Sequence, residues 1–177
     1  MDVGKGLLHW KLHTDPHVVV MEEINARFVE SLPEPVSLVT IDASFISLKI
    51  LLPVVRGWLP SPPSPQPPSP SPKDGRGGRG CAAGAGVGGE GEIIALIKPQ
   101  FEAGRKETAK NKGVIRDPAV HRAVLTDVLT FAQEIGFAVR GLMRSPLLGP
   151  KGNVEFLVWL GVGEESEDVI NLVEKTV

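Results

Sequence analysis

Two apolar segments near the C-terminal end of the chain, FAVRGLM (residues 137–143) and VEFLVWL (residues 154–160), constrain the fold most strongly. Each has the length and composition of a buried strand. Only a short loop containing Gly and Pro separates them, and such a loop cannot make the crossover that parallel strands need. The sequence therefore predicts that these two strands pair antiparallel, as a hairpin at the end of a sheet.

Three further apolar runs predict strands that alternate with helices. They are His17–Met21, Val36–Ile41 and EIIALI at residues 92–97. Each run is short and bounded by polar residues or proline, which is typical of a parallel sheet covered on both faces. Alternating strands and helices favour right-handed crossovers in such a sheet. The predicted fold class is therefore α/β, with a sheet that is parallel except for its terminal hairpin.

Helix signals lie between these strands. Val3–Thr14 predicts a short helix with its leucines turned inward, and residues 47–59 predict a second helix that Pro53 bends or ends. The pair Asp117-Pro118 is typical of an N-cap followed by a first-turn proline, and it predicts a helix over Ala119–Ile135.

A stretch rich in proline and glycine, Pro60 to Glu92, interrupts the pattern. It cannot bury enough apolar surface to offset chain entropy, so the sequence predicts a disordered insertion at residues 60–92. Residues 1–59 and 93–162 then form two parts of one domain, and residues 163–177 form an acidic tail or amphipathic helix. The insertion is interpreted either as a PxxP ligand for a partner or as a tolerated surface insertion, including an intron read into the gene model.

Composition limits the function classes. The net charge of -2 and the pI of about 6.1 argue mildly against a dedicated electrostatic binder of nucleic acid, although a local basic patch is compatible with them. A single cysteine excludes a disulfide framework and a Cys-rich metal site. The four histidines have no metal-ligand spacing and are expected at the surface. We expect an intracellular protein without metal, since neither a membrane span nor a signal peptide is visible.

Polar residues follow three of the predicted parallel strands, namely Asn25, Asp42 and Lys98. Glu155 opens the last strand, and because that strand is antiparallel, its beginning lies at the edge where the parallel strands end. Ligands of open α/β sheets bind at this edge. The sequence therefore predicts that these four side chains meet at one rim, where a carboxylate–lysine–carboxylate set favours a catalytic site.

Each of these residues also has an ordinary structural interpretation. Asp42 fits the N-terminal cap of the following helix, and Lys98 fits a solvated strand end. Glu155 in an apolar strand is less ordinary, because a buried carboxylate needs a partner. Lys98 is the partner that the sequence suggests, and that pairing could itself be structural.

The strings IDASFISLKILLP, IKPQFEAG, KGVIRDPAVH and SPLLGPKGNVEFLVWL occur in this order, after DVGKGLLHWKLHTDPHVVVMEEINAR. Together they resemble the TlyA-type branch of the FtsJ-like RNA methyltransferases. The resemblance implies a Rossmann-like S-adenosylmethionine-dependent methyltransferase sheet with an antiparallel terminal hairpin, lacking its first strand and helix. Members methylate ribose 2'-hydroxyls of ribosomal RNA, and some carry the label hemolysin. The S4-like RNA-binding domain that members have at the N-terminus is absent.

The resemblance also implies roles for individual residues. Asp42, Lys98 and Glu155 match three members of a Lys–Asp–Lys–Glu catalytic set, whose first lysine precedes a glycine-rich cofactor loop outside this chain. Lys98 would accept the 2'-hydroxyl proton. For S-adenosylmethionine, Asp2 matches the acidic residue that holds the ribose, Asn25 lies near the adenine, and Asp42 also touches the methionine part.

A basic stretch lies beside the predicted rim. Its cations are expected to contact RNA phosphates, with a solvated loop as the alternative. The predicted RNA-binding residues are Arg105, Lys106, Lys110, Lys112 and Arg116.

Three functions follow from the sequence. The first is a ribosomal RNA 2'-O-methyltransferase domain that acts on ribosomal RNA or a ribosomal subunit. The second is a non-catalytic remnant or RNA-binding fragment of such an enzyme. A membrane-active hemolysin ranks last, because no membrane-inserting segment is visible. The sequence distinguishes neither cytoplasm from organelle nor one oligomeric state from another.

Overall fold

The core of the molecule is a four-stranded mixed sheet in the order β1-β2-β4-β3. The computed structural model describes residues 1–60, 91–104, 107–108, 113–163 and 165–177. The strands are β1 (Leu38–Ile41), β2 (Glu92–Ile97), β3 (Phe137–Arg144) and β4 (Phe156–Val162). The predicted insertion at residues 60–92 lies almost wholly outside the described residues.

The strand directions confirm the predicted hairpin. β1 and β2 are parallel, whereas β4 is antiparallel to both β2 and β3. Ile97, the last residue of β2, therefore faces Phe156, the first residue of β4. The ends of β1 and β2 and the start of β4 thus share one edge of the sheet, which we call the carboxyl rim.

Five helices and two short 3-10 turns are present among the described residues. The helices are α1 (Trp10–His13), α2 (Leu48–Trp58), α3 (Pro99–Glu102), α4 (Pro118–Glu134) and α5 (Val169–Thr176). The 3-10 turns are Ala26–Phe28 and Pro150–Gly152.

Helix α2 begins at the carboxyl rim and packs its apolar face against the sheet. Its buried residues, spaced three and four apart, are Leu48, Leu51, Leu52 and Val55. Of the two effects predicted for Pro53, bending or ending the helix, the second is wrong, because the helix continues to Trp58. Pro53 lies on the exposed side, where water can satisfy the carbonyl that its missing N–H leaves unpaired.

The connection from α2 to β2 begins and ends at the edge opposite the carboxyl rim. Leu59, directly after α2, is buried against Gly91, directly before β2. A Cβ at Gly91 would overlap the Leu59 side chain, so a residue without a side chain is required there. The Gly91 carbonyl accepts a hydrogen bond from the N–H of Val162, at the end of β4 (2.9 Å).

Helix α4 forms as its caps predict. The Asp117 side chain accepts a hydrogen bond from the Ala119 N–H, Pro118 is the first helical residue, and Gly136 follows the helix with φ 87°. The helix buries a stripe that includes Val128 and Leu129 against the sheet. At the C-terminal end the alternative of a helix is confirmed, since α5 forms and buries Val169 and Val173 in the same core.

The two predictions for the N-terminal segment are wrong. Of the helix expected over Val3–Thr14 only α1 forms, and Leu7 and Leu12 are exposed instead of turned inward. His17–Met21 forms no strand. Its carbonyl at Met21 accepts a hydrogen bond from the Asp2 N–H (2.9 Å). No strand in the described part of the chain lies beside the outer edge of β1, so the run has no ladder to join.

The expectation that all four histidines lie at the surface is wrong for His121, which is only 5% exposed. Its Nε2 lies 3.1 Å from the Ile115 carbonyl oxygen, and because a carbonyl only accepts, Nε2 carries the proton. The imidazole packs edge-on against Phe156. Burial lowers the pKa of His121, and the charge of Arg144 adds to this, while the Ile115 hydrogen bond and Asp117 oppose it.

This lowered pKa predicts a loss of stability in acid. The unfolded chain binds the His121 proton more tightly than the folded chain, so stability should fall as the pH drops below about 6.5. The unfolding free energy at pH 7.5 and at pH 5.5 is measured by urea denaturation. The difference between these two values should be smaller in the variant His121→Gln than in the wild-type protein. The two proteins share every other titratable group, including Glu102, so an unchanged difference would contradict the assignment.

Candidate active site

Asp42 and Lys98 meet at the carboxyl rim. Each follows one of two neighbouring parallel strands, and the Lys98 Nζ donates to Asp42 Oδ1 over 2.6 Å. The same Nζ lies 3.3 Å from the Ser44 Oγ, which also accepts from it. The predicted convergence of these two residues is therefore present, and Ser44 is a third member that sequence reasoning missed.

The two partners differ in their access to water. The Lys98 side chain is 10% exposed, whereas that of Asp42 is 72% exposed. Lys98 is held in place because Pro99 ends β2 and begins α3 directly after it.

Glu155 lies at the same rim, directly before β4, and it is buried. Its expected partner was Lys98, but no ion pair joins these two residues. The Gln100 Nε2 instead donates to Glu155 Oε1 over 3.1 Å. Gln100 Oε1 is a buried atom without a hydrogen-bond partner. No sequence pattern predicts this pairing, which arises because α3 turns Gln100 back towards the start of β4.

The loop between β3 and β4 fits closely around Glu155. A Cβ at Gly149 would overlap the Glu155 carboxyl group, so only glycine leaves room for it. Asn153 is buried and braces the loop, because its Oδ1 accepts from the Ile115 N–H (3.0 Å) and its Nδ2 donates to the Gly113 carbonyl (3.1 Å). These contacts fix the position of the carboxylate relative to the rim.

A second carboxylate, Glu102, ties α3 to the start of α2. It accepts hydrogen bonds from the Ser47 Oγ (2.5 Å) and the Leu48 N–H (2.8 Å). Burial raises the pKa of Glu102, and these two hydrogen bonds act against that rise. Helix α3, which follows Lys98, and helix α2, which follows Asp42, are therefore locked together beside the rim.

Phe45 is an exposed aromatic residue beside Ser44. It is 90% exposed, and its φ of 64° lies in the left-handed region that bulky residues rarely adopt. Its ring centroid lies 5.0 Å from that of Phe101, which follows Gln100 in α3. Strained residues of this kind cluster at functional sites, where the surrounding structure maintains them.

The predicted cofactor residues lie close together but use their side chains locally. Asp2 Oδ1 accepts from the Gly4 N–H, and Asn25 Oδ1 accepts from the Arg27 N–H. The Asp2 carbonyl accepts from the Ile24 N–H, one residue before Asn25. The structure thus brings Asp2 beside Asn25, while Asp42 points to the separate cluster with Lys98.

A cavity of about 490 Å³ separates the N-terminal segment from β1. Asp42 and Ala43 line it where it meets the carboxyl rim, and Val19 and Met21 contribute apolar surface from the N-terminal side. Its volume is within the range of small-molecule sites, which are apolar with a few polar groups.

Of the predicted RNA-binding residues, Arg116 lies in the described chain, where it is exposed directly before α4. Arg105, Lys106, Lys110 and Lys112 lie outside the described residues.

Two kinds of feature are absent from the described residues. None of the helices there has the length and apolar character needed to cross a membrane. No cluster of three or more His, Cys, Asp or Glu side chains in those ranges is suited to hold a metal ion.

The fold is that of a methyltransferase family. The profile of the FtsJ-like methyltransferases matches residues 1–162, and the chain belongs to this family. The predicted fold class and the predicted resemblance are both confirmed by this match.

The relatives indicate the branch. The chain is 37% identical over 161 residues to TlyA of Mycobacterium tuberculosis, a 16S/23S rRNA (cytidine-2'-O)-methyltransferase, with 90% of this chain and 49% of TlyA covered. It is 38% identical over 189 residues to YqxC of Bacillus subtilis, provisionally named an rRNA methyltransferase, with 99% of this chain and 56% of YqxC covered. The chain thus spans about half the length of these curated relatives.

Solved structures support the same fold. A protein from Lactococcus lactis, provisionally named a hemolysin, superposes with a TM-score of 0.74 at 36% identity, covering 98% of this chain and 73% of that one. One from Streptococcus thermophilus, with the same provisional name, gives a TM-score of 0.75 at 32% identity and covers 98% and 55%.

Proposed function

We propose that this chain is the methyltransferase domain of an RNA ribose 2'-O-methyltransferase that uses S-adenosylmethionine and acts on ribosomal RNA. The observation that carries the proposal is the buried Lys98 Nζ, held 2.6 Å from Asp42 at the rim that Glu155 also joins. The named substrate of TlyA, an rRNA cytidine 2'-oxygen, supports the same chemistry.

Lys98 is the proposed proton acceptor. As the ribose 2'-oxygen forms its new bond to carbon, its hydroxyl proton passes to the Lys98 Nζ, which must be neutral at that moment. Asp42 then stabilises the ammonium ion that results, because its carboxylate already accepts a hydrogen bond from Nζ.

The cavity beside β1 fits the proposed cofactor in size, and of the predicted cofactor residues Asp42 lines it. S-adenosylmethionine, when bound, supplies an electrophilic methyl group and a neutral thioether leaving group. Asp42 at the rim end of the cavity offers a carboxylate to the methionine part, and the apolar wall offers contacts to the adenosine. Asp2 and Asn25 remain the proposed residues for the ribose and the adenine, and each would have to share an oxygen with its local hydrogen bond.

Glu155 and Phe45 have proposed roles on the substrate side. Gln100 and Gly149 fix the Glu155 carboxylate, which can then help to position the ribose beside Lys98. Phe45 offers an exposed ring on which a base of unpaired RNA can stack, since stacking on aromatic side chains is common in RNA recognition. Because a base-paired nucleotide is not free to stack in this way, the exposed ring favours a single-stranded or loop target.

A membrane-active hemolysin is not supported. Hemolysin A of Brachyspira hyodysenteriae is 29% identical to the chain, yet relatives named as rRNA methyltransferases are more similar to it. The rim residues described above suit proton transfer and have no role in membrane insertion.

A direct test is methyl transfer to ribosomal RNA. The 177-residue chain, given methyl-labelled S-adenosylmethionine and ribosomal subunits, should place label in RNA and make the neighbouring phosphodiester resistant to alkali, because the 2'-oxygen is blocked. Asp42→Asn should lose this activity. Asp127→Asn is the matched control, because Asp127 forms a similar ion pair with Lys49 (2.8 Å) away from the rim. Absence of alkali-resistant label with the wild-type chain would contradict the proposed function.

A further inference from the structure

A small cleft of about 90 Å³ opens beside the start of β4, on the side of the sheet that α4 and α5 cover. Two arginines from distant parts of the sequence line it, Arg116 before α4 and Arg144 at the end of β3. His121 and Thr176 complete its polar wall. At about 30 Å³ per water, the cleft has room for a group of a few heavy atoms, such as one phosphate.

These two arginines differ from the other arginines in the described chain. Arg122 pairs with Glu174 (3.2 Å), Arg140 pairs with Glu92 (3.5 Å), and the guanidinium groups of Arg27 and Arg56 lie over the rings of Phe28 and Phe137. Within the described ranges, neither Arg116 nor Arg144 has a carboxylate within ion-pair distance. Two guanidinium groups lining one cleft repel each other, and a bound anion removes that cost.

The neighbouring polar groups leave both guanidinium groups able to bind an anion. His121 uses its Nε2–H for the Ile115 carbonyl, and its Nδ1 has no hydrogen-bond partner among the described residues. Asp117 supplies an opposing negative charge, but its Oδ1 already caps α4 by accepting from the Ala119 N–H. Two carboxylates oppose the two arginines. They are the engaged Asp117 side chain and the α-carboxylate of Val177, which also lines the cleft and forms no ion pair with either arginine.

The cleft lies next to Glu155. Arg144 pairs with Phe156 across the β3–β4 hairpin, and the N–H of the next residue, Ser145, donates to the Glu155 carbonyl (2.9 Å). We infer that Arg116 and Arg144 together bind one phosphate of the RNA backbone close to the nucleotide whose ribose reaches the rim. This inference rests on the proposed function, to which it adds a positioning contact that carries no base specificity.

Salt dependence of RNA binding tests the inference. Binding of the full chain to a fluorescent single-stranded RNA oligonucleotide is measured by anisotropy across a salt series, for wild type, Arg116→Gln, Arg144→Gln and the double variant. Each single change should weaken binding about three- to tenfold. Because both arginines hold one phosphate, the double variant should flatten the slope of log K against log salt by about 0.7, rather than by twice that amount.

The controls separate the possible failures. Arg122→Gln, which removes a paired arginine on α4 outside the cleft, should leave the slope unchanged. If the wild-type chain binds RNA and the double variant binds it equally tightly, the inference is overturned and the proposed function is not. If the wild-type chain binds no RNA, both are overturned. Inorganic phosphate is titrated in parallel by NMR. Shifts at Arg144 without any effect of the substitutions on RNA affinity would mean an adventitious ion only, and would also overturn the inference.

Discussion

Replacing Lys98 with alanine is expected to lower the rate of methyl transfer by about a hundredfold to ten-thousandfold, the range that a positioned general base contributes. The fold should tolerate the change, because the remaining Asp42 carboxylate is 72% exposed and is solvated when its partner is removed. Binding of S-adenosylmethionine, measured by calorimetry, should change little, because the cavity is lined by Asp42 and not by Lys98.

Lys49→Ala is the matched control for this experiment. Lys49 also forms a short ion pair, with Asp127, but it lies on α2 and not at the rim. Single-turnover rates for the two variants, measured with saturating cofactor, separate a role in chemistry from a general effect of removing a paired lysine. Equal rates for Lys98→Ala and wild type would refute the assignment of Lys98 as the proton acceptor.

Replacing Leu52 with alanine is expected to lower the free energy of unfolding by about 2–5 kcal/mol. Leu52 is 0% exposed and belongs to the cluster in which α2 packs on the sheet. The free energy of unfolding falls for two reasons. Less apolar surface is removed from water on folding, and the surrounding residues cannot fill the cavity that is left. Since natural domains are stable by about 5–15 kcal/mol, this single change removes a large part of the total.

Ile50→Ala is the control, because Ile50 lies two residues away on the same helix and is 49% exposed. Its loss should stay below about 1 kcal/mol, which is typical of surface positions. Urea denaturation of both variants, followed by circular dichroism, gives the two values. A similar loss for both would show that α2 does not pack as described.

The hairpin and the rim could be predicted from the sequence because local constraints determine them. A loop too short for a crossover forces β3 and β4 antiparallel. That direction alone brings Glu155 to the edge where Lys98 ends β2. Both conclusions need only strand direction and the position of a residue within its strand.

The partners of these residues could not be predicted in this way. Gln100 reaches Glu155 because α3 turns immediately after Pro99, and Glu102 reaches Ser47 across 55 residues of sequence. Such contacts depend on the angle at which two helices leave the sheet, and periodicity carries no information on it. His121 was misplaced for a similar reason, because its burial depends on the Ile115 carbonyl as a hydrogen-bond acceptor.

The N-terminal segment shows the limit of strand propensity. His17–Met21 has the β-branched composition of a strand, but a strand needs a neighbour to accept and donate its backbone hydrogen bonds. Within the described residues the outer edge of β1 has no such neighbour, and the segment packs across a cavity instead. Composition predicts which residues suit a sheet, but it does not supply the partner.

The contact between Leu59 and Gly91 has a practical consequence for work with this protein. The chain leaves α2 and enters β2 at adjacent points, on the side of the sheet away from Lys98 and Glu155. Ends that already touch accept linkers of very different lengths at a small entropic cost. A fluorescent reporter or affinity handle spliced in at this junction would therefore report on the protein while leaving the reacting side chains undisturbed.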